Sequence, residues 1–448
     1  MRIKRWLSIL VIILGIFFLA HNLFFFESRS GYIYSLHVKY AQVISEQWRY
    51  PTIDETAKFY DPPLFFLISG LFTRAASYLS GKDFFEAVVY WRYLSIIFPI
   101  VSSYLWYQII KQLYPKNQIA RLSFMGLLFS LPVLHKTLVM YTIEPWLWLT
   151  SSLVLWYFIF KFQPRPTFKT TLVLASLTVV ALLSRVSATA VLAAVSVGIL
   201  GLSWLGQISL KRSVLLLSLF LILVFSGTGW FYGRKSNLYD NRITVIMNRF
   251  EGGVAPSERL AFLTEVPFHF MMTHPIRMEV WLNRLIPIYY SEFWGDFWNF
   301  YIQRRFGIGF EAREADRLLT TPQRVANLAL QNQVNLPSTI LMIFGMAYFL
   351  VRLVKKTFYR PDVNWLIETM LLITFLVTWV GFLYSITFHG SLKGDSIKAS
   401  YMLFILPIFV YFQVNFLFEV VKKNKYIFVP VVVWLTLTTV INLWWSWY

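Results

Sequence analysis

Four short stretches of the chain bring together side chains that handle protons, phosphates and sugar rings. The first is His37-Val-Lys-Tyr-Ala41, followed by Tyr50-Pro51 and by Phe59-Tyr60-Asp61-Pro62-Pro63-Leu64-Phe65-Phe66. The second, Met140-Tyr-Thr-Ile-Glu144-Pro145-Trp146, sets a lone acid at the mouth of two apolar runs, where a carboxylate is costly unless water or a partner meets it. The third, Tyr289-Tyr290-Ser-Glu292-Phe293-Trp294-Gly295-Asp296-Phe297-Trp298, sets two carboxylates among aromatic rings. The fourth is His389-Gly-Ser-Leu-Lys393-Gly-Asp395-Ser-Ile-Lys398-Ala-Ser-Tyr401. Carboxylates act as general bases toward hydroxyls or position cations, and Lys and Arg hold a phosphate leaving group. Each feature also has a plain structural reading. Pro62 and Pro63 stiffen the lead into the next apolar stretch, the rings anchor a loop among lipid headgroups as readily as they stack on sugars, and Arg185 suits a snorkelling turn between two apolar runs.

The elements that must carry these residues follow from composition. Of 448 residues, 57% are hydrophobic and 14% charged, against about 25% charged in an ordinary soluble domain. A soluble fold of this length lacks the polar surface to cover itself. Cysteine is absent, which excludes disulfides, thiolate metal sites and a cysteine nucleophile. The net charge of +19 is dispersed in short clusters between apolar runs, so it reads as topology determinants beside anionic lipid and not as a nucleic-acid footprint.

Apolar runs near the ~20 residues that cross a bilayer fall at 6–26, 87–110, 119–135, 146–161, 170–184, 186–206, 213–232, 336–354, 364–386, 400–421 and 426–446. The expected fold is therefore an all-α polytopic membrane protein of about eleven transmembrane helices, a single integral membrane domain over 1–448. The basic start Met1-Arg-Ile-Lys-Arg5 and the lack of a small-residue cleavage site after Phe24-Phe25-Phe26 make the first run a retained signal anchor. With a cytoplasmic N-terminus, alternate connections carry Lys111/Lys116/Arg121, Lys161/Arg165/Lys169, Lys211/Arg212, Arg352/Lys355/Lys356/Arg360 and Lys422/Lys423/Lys425, as the positive-inside rule requires. Most carboxylates, including Glu27, Asp54, Glu55, Asp61, Glu144, Glu292, Asp296 and Asp395, then lie outside. Two external connections are long: 27–86, with the apolar stretch Leu64 to Phe72 as an interfacial or re-entrant helix, and 233–335. On the outer side Lys393 and Lys398 run against the charge bias, and a phosphate ligand supplies a reason for them.

At these residues the chain resembles the GT-C superfamily of membrane glycosyltransferases, in the branch of protein O-mannosyltransferases and lipid A aminoarabinose transferases (glycosyltransferase family 39-type). The resemblance rests on the Pro62-Pro63-Leu64-Phe65-Phe66 run after His37-Val-Lys-Tyr-Ala41, the acid of Tyr141-Thr-Ile-Glu144, and Trp294-Gly295-Asp296-Phe297-Trp298 with the Lys398-Ala-Ser-Tyr401 entry. It implies a polyprenyl-phosphate sugar donor and inverting transfer to a hydroxyl of a glycan, lipid or protein on the outer face of a bacterial plasma membrane. It also implies an acidic base just after the first span, which this chain lacks within Ile33 to His37. Glu27, His37, Asp61 and Glu144 remain as catalytic candidates, with Lys393, Lys398 and Arg185 for the donor phosphate and Trp294, Asp296 and Tyr60 for sugar or acceptor. No metal ligands stand out, and a divalent cation is left open as a cofactor. The competing expectations are a transporter or flippase of a lipid-linked sugar and a catalytically inactive scaffold. The lack of an internal repeat counts against a transporter built from repeated halves.

Overall fold

The computed structural model describes residues 2–26, 34–52, 54–237, 253–277, 283–298, 322–359, 361–390 and 396–446. Among them every regular element is helical. Seven helices are long and apolar enough to cross a membrane: Phe84–Leu113, Val186–Trp204, Leu210–Arg234, Pro322–Tyr359, Val363–Phe388, Ala399–Lys423 and Lys425–Trp445. An eighth is added if Gln118–Phe129 and Pro132–Leu138, bent by 58° at their junction, count as one broken span. Of the further expected runs, the first lies in the helix Arg2–Phe25, and two are helical over shorter lengths, at Phe168–Leu182 and Glu144–Tyr157, the last extended by a π-helical turn, Phe158–Phe162. Large apolar side chains such as Leu215, Ile222, Phe225, Val351 and Val380 are exposed along the spans. No soluble protein turns that much apolar surface outward, and the pattern is that of a polytopic membrane protein.

Helix starts differ in their capping. After the Lys/Arg-rich connections, Asn117 accepts from the Ala120 N–H, Thr167 forms a capping box with Thr170, Asp362 accepts from Trp365, and Asn424 accepts from Tyr426. On the opposite connections Asp83 caps the helix at Phe84, whereas those at Leu64, Glu144, Val186 and Ala399 begin without a side-chain cap. These four starts carry or adjoin residues of the candidate site.

The first long connection folds as two helices, Tyr34–Gln47 and Leu64–Ser80, packed on each other. Gly70 makes the approach feasible, since a Cβ there would overlap the Ala41 carbonyl oxygen and the Ser45 side chain. Tyr40 stacks on Phe66 at 4.1 Å between ring centroids, and Phe65 and Phe66 are buried. The Leu64 to Phe72 stretch thus packs one face on protein, whereas Tyr78 and Leu79 at its far end are exposed. In the second long connection the described residues form the short helices Arg259–Thr264, Phe268–Thr273 and Leu285–Trp294.

That second connection ends earlier than its polarity suggests. Residues up to 335 read as loop, yet Pro322–Tyr359 is one helix with Pro337 inside it. Within its polar stretch Gln331, Asn332 and Asn335 are buried, and the helix is bonded to the connection: Asn332 donates to the Met271 carbonyl (2.7 Å) and to Ser291 (2.9 Å), Gln333 donates to the Met272 carbonyl (2.8 Å), and the Tyr290 hydroxyl donates to the Asn332 carbonyl (2.7 Å). Polar residues here pair with protein, so their polarity does not mark solvent.

Candidate functional site

The first-loop residues are brought inward by local hydrogen bonds. Arg49 and Glu55 pair in a fork at 2.8 and 2.5 Å, the Thr56 hydroxyl donates to the Leu36 carbonyl (2.9 Å), and the Tyr40 hydroxyl donates to the Asp61 carbonyl (2.9 Å). The segment from Arg49 to Asp61 is thereby folded back over the Tyr34–Gln47 helix. Lys58, 8% exposed, then has its ammonium 3.3 Å from the Tyr60 hydroxyl and 3.7 Å from the Asp61 carboxylate. Burial lifts the Tyr60 phenol to about 12. For Lys58 burial works against the charged form, but Tyr60 and Asp61 outweigh it and the ammonium is held above its usual value.

Facing this loop, Glu144 and Arg185 form an ion pair, and the Thr142 hydroxyl donates to the second Glu144 oxygen. The Trp146 indole donates to the Ser184 hydroxyl at 2.7 Å and fastens the start of the Glu144–Tyr157 helix beside Arg185. The Arg185 guanidinium lies over the Tyr401 ring at 4.5 Å and the Lys398 ammonium lies 5.7 Å from the same ring, both within cation–π range. His37 completes the group, with its Nδ1 3.4 Å from the Tyr141 carbonyl and its ring in the field of Lys58, Glu144 and Asp61. Burial, with Lys58 second, lowers its pKa to about 4, so the imidazole is neutral near pH 7.

Three cations, Lys58, Arg185 and Lys398, therefore surround Tyr401 with two carboxylates, Asp61 and Glu144. The carboxylates are not equivalent. Glu144 has both oxygens engaged and its side chain is 3% exposed, whereas Asp61 is 15% exposed with one long ion pair. Glu144 orients Arg185, and Asp61 is the acid free to meet a hydroxyl. Near the same level Arg234 stacks over Tyr50 at 4.1 Å, close to Tyr40.

A second cluster adjoins the first through Lys398. Lys136, 1% exposed in the broken span, pairs with Glu292 at 2.6 Å and also donates to the Glu292 and Gly295 carbonyls at 2.5 and 2.9 Å. All three ammonium protons are used, and the cation closes the C-terminal end of the Leu285–Trp294 helix. Asp296 lies 3.5 Å from Arg324, and Glu292 is in the field of Asp296 and Lys398. The Trp298 indole donates to the Ile397 carbonyl at 2.9 Å, fixing the backbone next to Lys398. On the other side of the Leu285–Trp294 helix runs a wholly apolar groove of about 440 Å³, lined by Tyr289, Phe293, Trp294, Met342, Trp379 and Phe409 among others.

Of the residues singled out in the sequence, His37, Tyr60, Asp61, Glu144 and Arg185 come together, and Lys398 joins them at Tyr401. Glu27 and Lys393 lie outside the described residues. Trp294 and Asp296 do not join the first cluster. The indole lines the apolar groove and donates to Thr339 at 2.7 Å, while Asp296 belongs to the second cluster, because successive residues past the helix end diverge to opposite sides. Lys58, Lys136, Tyr401 and Arg234 were missed as site residues. For Lys58 the signal was the one used for Lys398, a cation on a carboxylate-rich connection, and for Lys136 it was a charge inside an apolar run. No group of three or more His, Asp or Glu suited to a metal ion occurs among the described residues. Comparison of the chain with protein-family models and with curated proteins gives no match.

Proposed function

We propose that the protein is a glycosyltransferase that moves a sugar from a polyprenyl-phosphate carrier to a hydroxyl of an extracytoplasmic glycan, lipid or protein, with inversion. In this reading eleven helices cross a bacterial plasma membrane, the N-terminus and the capped, Lys/Arg-rich connections are cytoplasmic, and both clusters sit at the outer face. One observation carries it: Lys58, Arg185 and Lys398 converge on Tyr401 beside the partly exposed Asp61. Asp61 takes the proton of the acceptor hydroxyl as its oxygen bonds to the anomeric carbon. The bond from that carbon to the phosphate oxygen breaks, and the three cations stabilise the charge on the departing polyprenyl phosphate. Glu144 keeps the Arg185 guanidinium turned to the phosphate. The apolar groove beside Trp294 offers room for part of the isoprenoid chain.

Purified protein is to be incubated with a panel of radiolabelled polyprenyl-phosphate sugars and cell-envelope acceptors, beside Asp61→Asn and Lys58→Met. Label transfer by the parent that both substitutions abolish supports the assignment. No transfer with any donor, or transfer that survives both, overturns it. A transporter of a lipid-linked sugar is favoured by a different observation, the ion pairs Lys136–Glu292 and Arg352–Glu368 buried within or against spans. Movement of the labelled donor across proteoliposomes without transfer selects that reading.

A further inference from the structure

We propose that a polar pocket behind Trp294 is a binding site for an ordered water within the lipid-embedded part of the bundle. Gln413, on the Leu406–Glu419 helix, is 1% exposed, and neither its amide oxygen nor its amide nitrogen has a hydrogen-bond partner. It borders a cavity of about 10 Å³ together with Ser130, Asn335, Ser338, Thr438 and Asn442. That volume is about what one water requires. An amide left dry here is heavily penalised, since no bulk water reaches a bundle interior surrounded by hydrocarbon.

The neighbours call for a donor of protons. Ser130 gives its hydroxyl proton to the Leu127 carbonyl (2.8 Å) and Thr438 gives its own to the Trp434 carbonyl (2.6 Å). Both oxygens keep lone pairs for the cavity. Asn335 uses its amide protons on the Gln331 carbonyl (2.8 Å) and on Asn442 (2.7 Å), and Asn442 returns a bond of 2.9 Å. A water donates two protons and accepts two. It bonds the Gln413 oxygen and one of the hydroxyl oxygens as donor, and it accepts from the Gln413 nitrogen. A metal cation does not suit the pocket, because no carboxylate lines it.

The pocket lies where segments far apart in the chain meet: the bend of the broken span at Ser130, the Pro322–Tyr359 helix at Ser338, Gln413, and the Lys425–Trp445 helix at Thr438. Trp294 and Met342 line both this pocket and the apolar groove, so the indole forms the wall between a wet and a lipid-like space. None of this depends on the proposed function.

Two measurements on the full-length protein in detergent decide it. Melting of Gln413→Leu is compared with the parent, and the parent structure is determined at a resolution where ordered waters are visible. A melting temperature lowered by several degrees, with density within hydrogen-bonding reach of Gln413, supports the site. A raised melting temperature means that the amide was dry, because removing two unmade hydrogen bonds then stabilises the fold. That result overturns the proposal. So does a pocket without density where other buried waters are seen, or density that disappears when sodium is replaced by choline. Should the leucine variant fail to fold, the density alone decides.

Discussion

The clusters at Tyr401 and Lys136 and a third cluster at Glu368 use the same residue types to different ends. In the Glu368 cluster Arg352 and the Tyr411 hydroxyl (2.6 Å) both bond Glu368, Lys356 lies 3.5 Å from Glu368 and 3.1 Å from Asp362, and Asn415 and the Tyr114 hydroxyl are 2.9 Å apart. Two cations meet two carboxylates, and the group staples the Ile97–Leu113, Pro322–Tyr359, Val363–Phe388 and Leu406–Glu419 helices together. In the clusters at Tyr401 and Lys136, the described residues Lys58, Lys136, Arg185, Arg324 and Lys398 lie among Asp61, Glu144, Glu292 and Asp296. Glu368, 4% exposed and held by Arg352 and Tyr411, serves the fold. The cluster at Tyr401, where three cations stand beside the partly exposed Asp61, is suited to an anionic ligand.

The comparison breaks most severely at Lys136. Lys136→Met leaves the buried Glu292 without its partner, at a cost of about 3–5 kcal/mol. Most folded protein is then lost on size-exclusion chromatography in detergent, and Lys136→Met combined with Glu292→Leu recovers much of it. Asp61→Asn separates site from scaffold. Transfer falls about 10²–10⁴-fold while the melting temperature stays near that of the parent; a matching fall in melting would place Asp61 among the structural pairs. In the Glu368 cluster Glu368→Gln shows the converse, a loss of about 1–3 kcal/mol in stability with the turnover of the surviving protein unchanged.

His37 gives a smaller, pH-dependent effect. Its folded pKa of about 4 lies below the ordinary 6.5, so between these values the unfolded chain binds a proton that the folded protein does not. Its contribution is full above pH 6.5 and declines as the pH falls toward 4. A melting-temperature profile of His37→Gln is therefore flatter over that interval than the parent's, and parallel profiles would exclude His37 as the titrating group. The smallest effect is at Tyr401. Tyr401→Leu removes the surface on which Arg185 rests, a loss of about 0.5–2 kcal/mol, read as a modest weakening of polyprenyl-phosphate binding.

Much of the helical layout was readable in the sequence because apolar runs and their basic connections are local properties. The runs at 364–386 and 119–135 needed only a sliding window and a charge count, although the 58° bend within the second did not show in them. The polar turns before Asn335 misled for a physical reason: a window cannot distinguish Asn332 and Gln333 bonded to a neighbouring loop from the same residues in water. Asp61, Glu144, Arg185 and Lys398 stood out singly, because charges are rare in an apolar chain.

By itself the sequence determined that the chain is helical, that it is built for a bilayer, and which connections carry its acids. Only the tertiary structure decided that Lys58 and Arg185 meet at Tyr401, that Glu144 is fully engaged while Asp61 is not, and that Trp294 turns toward an apolar groove. Periodicity and hydropathy act over a few residues along the chain. The field at a site is set by groups that only packing brings within a few ångströms of one another.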